Sequence, residues 1–190
     1  MDIPSFNERN SILLQESKEL LGRNKSYVGS SFSGTKFYGL GSFHSNYLGR
    51  EIYGGIKIVN GLEKDYFCSS LANILLLDQL CLKSKDILPL FFGGVENSFE
   101  ILMEDYSQNG TIPTYDMKEY QRIPKEIKVL MMANGENEVL RSFLNINNHS
   151  FKMMDFDSLP WEDRYLEESS KIRTDLFCDE DILSSYIIRR

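Results

Sequence analysis

Between Tyr27 and Asn60 the chain carries Gly29, Gly34, Gly39, Gly41, Gly49, Gly54 and Gly55 among tyrosines, phenylalanines and isoleucines. A helix does not form across glycines at that density, because each costs about 1 kcal/mol relative to alanine. Aromatic and β-branched residues between glycines instead suit short strands joined by tight turns. Residues 63–82, EKDYFCSSLANILLLDQLCL, then place Phe67, Leu71, Ile74, Leu75, Leu77 and Leu82 at helical spacing. That spacing predicts one long helix with a broad apolar face. A strand-rich run closed by such a helix gives an α+β fold.

The flanking segments extend this pattern. Ile12, Leu13, Leu20 and Leu21 predict a helix over 11–21, stopped by Gly22. Leu88 to Phe92 and Phe99 to Met103 read as two strands, with GGVENS as their turn. Residues 105–116 are polar and carry Gly110 and Pro113, as a connector would. Pro124 can open a helix within 124–133, and Asn134-Gly135 ends it. Val139 to Met154 suits a loop and a short strand pair. Residues 160–190 are charged and helical, anchored by Trp161, Tyr165, Leu166, Ile172, Leu176, Ile182, Leu183 and Ile187.

Composition narrows the partners. A hydrophobic share of 42% supplies a real core. The net charge of −7 and pI near 5.0 disfavour nucleic acid and anionic membranes, whose phosphates call for clustered Lys and Arg. No run reaches the roughly 18 apolar residues of a spanning helix. Asp2, Glu8, Glu16 and Glu19 do not fit a secretory signal. Cys68, Cys81 and Cys178, widely spaced and odd in number, read as reduced thiols in a cytoplasmic setting. His44 and His149 stand singly and read as surface histidines.

Three stretches carry chemistry. In Gly29-Ser-Ser-Phe-Ser-Gly34 a glycine turn with Phe32 near its tip lets backbone N–H groups approach phosphates, or serves as an ordinary hairpin. Lys57 alternates with Ile56 and Ile58, which puts the ammonium on the opposite strand face from both isoleucines. Asp155-Phe156-Asp157 ends a strand with a carboxylate, which suits either Mg²⁺ or a helix cap.

In order, a glycine hairpin, a strand lysine, a long helix, two strands, a connector, a loop and the strand ending in Asp155 resemble protein-kinase-like and aminoglycoside-phosphotransferase-like folds over residues 27–158. The resemblance implies two lobes: a helical extension at 1–26, a sheet-and-helix N-lobe at 27–104, and an abridged, mostly helical C-lobe at 105–190. It also implies an ATP site. Gly29, Phe32 and Gly34 would cover the phosphates, Lys57 would bind them, and Met103 would back the adenine. The backbone from Glu104 to Tyr106 would hydrogen-bond the adenine, and Asp155 would hold Mg²⁺.

The departures matter as much. Counting back 18 residues from Asp155, where the family has its catalytic aspartate, reaches Asn137. Counting back 13, to the family's second metal ligand, reaches Ser142. Asparagine is no proton acceptor, although Glu136 and Glu138 flank it. Asp157 stands where the family has glycine. The helix position that should orient the lysine holds Asn73 rather than glutamate, leaving Glu63 as a stand-in. These changes imply a pseudokinase that binds a protein partner, with or without ATP. An active phosphotransferase using Glu136 or Glu138, and an unrelated α+β interaction protein, stay open as alternatives. In size and order of parts the chain is similar to the minimal kinase effectors that some pathogenic bacteria inject into host cells.

Overall fold

The computed structural model describes residues 14–30, 35–46, 49–58, 63–80, 91–105, 112–113, 125–128, 130–131, 143–146, 150–153, 156 and 159–189. The protein is α+β. Its chain divides into two compact units, the first made of Met1–Phe67, Leu90–Asp105 and Leu176–Arg190, the second of Cys68–Pro89 and Tyr106–Asp175.

The glycine-punctuated run forms the sheet of the first unit. Strands β1 (Ser26–Ser30), β2 (Lys36–Ser45) and β3 (Arg50–Ile58) pair antiparallel in succession. Gly49 closes the β2–β3 hairpin at φ +62, a left-handed conformation that glycine adopts without steric cost. Helix α1 (Glu63–Leu80) follows, and then strands β4 (Phe91–Val95) and β5 (Ile101–Glu104). With the C-terminal strand β9 (Ile187–Ile188) the order across the sheet is β1-β2-β3-β5-β4-β9. The pairing of β9 with β4 is parallel, while the other pairs are antiparallel.

One sheet face buries Leu40, Phe43, Ile52, Ile56, Leu102 and Ile188 against Leu20, with Leu14, Leu21 and Ile58 partly buried beside them. Leu20 belongs to a 3₁₀ helix (Ser17–Gly22) that continues the helical residues 14–16, where sequence predicts an α-helix over 11–21. A Cβ at Gly54 would lie 2.5 Å from Leu20, so the absent side chain lets this helix settle onto β3.

Two features differ from expectation. The predicted GGVENS turn is shorter, because β4 runs through both glycines and only Glu96 to Ser98 turn, with Asn97 at φ +66. A Cβ at Gly94 would come within 2.7 Å of the Phe67 ring, and one at Gly93 within 2.9 Å of the Tyr186 carbonyl. These glycines serve close approach in a strand rather than turning the chain. Helix α1 is not one-sided either. Every residue from Ser70 to Leu77 is buried, as in a helix enclosed all round.

The second unit holds a small antiparallel sheet, β6 (Ile112–Pro113), β7 (Phe143–Ile146) and β8 (Ser150–Met153), in that order. The β7–β8 pair is the strand pair expected within 139–154. A short helix α2 (Lys125–Lys128) buries Ile127. Met131 bridges to Trp161 just before helix α3 (Asp163–Cys178). Tyr165, Ser169, Ile172 and Leu176 recur at spacings of three and four and are buried, whereas Leu166, expected as an anchor, is 48% exposed. Helix α4 (Glu180–Ser184) is capped by Asp179, whose side chain accepts from the N–H groups of Asp181 and Ile182.

Candidate functional site

Lys57 is the chemically distinctive residue of the first unit. It lies in β3, with Phe37 opposite on β2 and Ile101 opposite on β5. Strand alternation sends Ile56 into the core cluster and Lys57 to the other face, as predicted. That face is not open to solvent, since Lys57 is only 2% exposed. A lysine is almost never so buried without compensation, because its charge loses a large hydration energy. Compensation includes two aromatic rings: Nζ lies 5.8 Å from the Phe37 centroid and 5.5 Å from that of Tyr66 in α1. Both distances lie inside the cation–π range, where the negative ring face attracts an ammonium by about 0.5–2 kcal/mol.

Around this lysine the other predicted site residues of the unit fall as follows. Gly29 is half-buried in β1 beside a register shift, and a Cβ there would meet nothing within 4 Å, so packing does not call for glycine. Glu104 ends β5 opposite Gly54. The next N–H, that of Asp105, donates to the Tyr53 carbonyl at 2.8 Å. Phe32, Gly34 and Tyr106 lie outside the described residues, as do Glu136, Asn137, Glu138, Ser142, Asp155 and Asp157. His44 is exposed in β2, Cys68 is buried, and Cys178 is exposed.

Asn73 organises the second unit. Its side chain is 5% exposed at the middle of α1. Its amide nitrogen donates to the Phe156 carbonyl. Its oxygen accepts from Trp161 Nε1 at 2.9 Å and from Ser169 Oγ at 2.5 Å. Both acceptor sites of the amide oxygen are thereby used. At the position where the resemblance wants a carboxylate to orient Lys57, the chain instead has a buried amide engaged in three hydrogen bonds. That amide ties α1 to the residue after Asp155, to the approach to α3 and to α3 itself. Sequence reasoning counted to Asn73 but missed this role. The available signal was a lone polar residue inside an otherwise apolar helix.

Among the described residues no group of three or more His, Cys, Asp and Glu side chains could hold a metal ion. No described helix is long and apolar enough to cross a membrane. A scan against models of known protein families gives no match, and a search of curated proteins finds no similar chain.

Proposed function

We propose that this protein is a kinase-like, two-lobed protein that binds the phosphate chain of ATP through Lys57 and acts on a protein partner without transferring phosphate. The carrying observation is the burial of Lys57 on an inner strand of the sheet, its ammonium within reach of two ring faces. Supporting it is the chain order of hairpin, lysine strand, long helix and two further strands. The sequence adds Asn137 in place of a catalytic acid, which favours binding over transfer.

Thermal melts with ATP, with and without Mg²⁺, test this directly. Ligand that binds only the folded state stabilises it by RT ln(1 + [L]/Kd), about 2.7 kcal/mol at a hundredfold excess over Kd. The expected result is an ATP-dependent rise in Tm that Lys57→Ala abolishes, with no label transferred from γ-labelled ATP. Transfer lost on Glu136→Gln or Glu138→Gln would make the protein an active phosphotransferase instead. No shift at any ATP concentration would leave a plain α+β interaction protein.

A further inference from the structure

A lysine that contacts phosphate has to hold a long, flexible stem in one place, and its rotamer freedom opposes this. In kinase-like folds a carboxylate on the helix after the lysine strand does the holding. The residue counted to that position, Asn73, is committed to Phe156, Trp161 and Ser169. The helix nevertheless reaches Lys57 with another side chain. Tyr66, in the first turn of α1, places its ring 5.5 Å from Nζ, and Phe37 of the neighbouring strand places its ring at 5.8 Å. The Phe37 position is fixed by register, since Phe37 is the direct cross-strand partner of Lys57.

Resting on the function proposed above, we infer that Tyr66 and Phe37 are positioning residues that aim Lys57 at the polyphosphate chain of a nucleotide. Ring faces suit that task because they attract the ammonium without cancelling its charge. A bound phosphate then meets a cation whose stem is already ordered, and less entropy is lost on binding. The ring face is the operative feature of Tyr66, so phenylalanine can replace it and leucine cannot.

Calorimetric titrations of ATP and of inorganic tripolyphosphate into the full chain separate these contributions. Tyr66→Phe is expected to bind both ligands within about twofold of the unaltered protein, the scale of a retained ring contact. Tyr66→Leu is expected to weaken both by about three- to tenfold, the scale of ordering one long side chain that binding must then supply. Phe37→Leu carries the same expectation and decides the matter if Tyr66→Leu does not fold. Unchanged affinity in a folded leucine variant overturns the inference while leaving nucleotide binding intact. An equal loss in Tyr66→Phe also overturns it, by assigning the effect to the hydroxyl. Absence of binding by the unaltered chain overturns the proposed function, and the positioning role with it.

Discussion

At the residue scale, two buried polar side chains are explained by their partners. Lys57 keeps its stem in the sheet and its charge against aromatic rings, whereas Asn73 satisfies a carbonyl, an indole and a hydroxyl at once. Asn73→Leu fits the apolar helix but orphans those three buried groups, each worth about 1–3 kcal/mol when left unsatisfied. The expected loss is about 2–4 kcal/mol by denaturant unfolding, because neighbouring groups recover part of the deficit. Asn73→Asp keeps both acceptor contacts but sets a carboxylate oxygen against the Phe156 carbonyl. Its deficit should shrink as pH falls and the carboxyl gains a proton to donate. The sequence revealed which strand face carries Lys57 but not its depth, since alternation fixes direction and says nothing of what covers the face. Asn73 was legible as a departure from a kinase pattern but not as a hub. Its partners lie 83, 88 and 96 residues further along the chain.

At the element scale, the sheet and α1 were legible because their signals are local. Glycine spacing marked β1 to β3, and apolar spacing marked the helix. Strand β9 was not legible, being two residues long and defined by the Gly94 and Val95 backbone it pairs with. Pairing with β5 holds both Gly93 and Gly94 inside β4 rather than in a turn. Next to β9 stands Tyr186, fully buried, and burial pushes its phenol up to about 12 from the ordinary 10.0. Between those values the folded chain holds a proton that the unfolded chain has lost, so stability from this group is complete below pH 10 and falls through pH 12. The span corresponds to on the order of 2 kcal/mol. Urea melts from pH 9 to 12 should show Tyr186→Phe losing less stability across that range than the unaltered chain. Parallel curves for the two proteins would assign the alkaline loss to other groups.

At the scale of the whole molecule, one compact unit carries a buried cation on an inner strand and the other is tied together through a buried amide. The central claim is that the Lys57 charge binds phosphate, and Lys57→Met tests it most directly. Methionine keeps an unbranched stem among the rings and removes only the charge. A charged hydrogen bond to phosphate is worth about 1.5–3 kcal/mol, so ATP affinity measured by equilibrium dialysis should fall at least about tenfold in this variant. Equal ATP affinity in the two folded proteins would contradict the account.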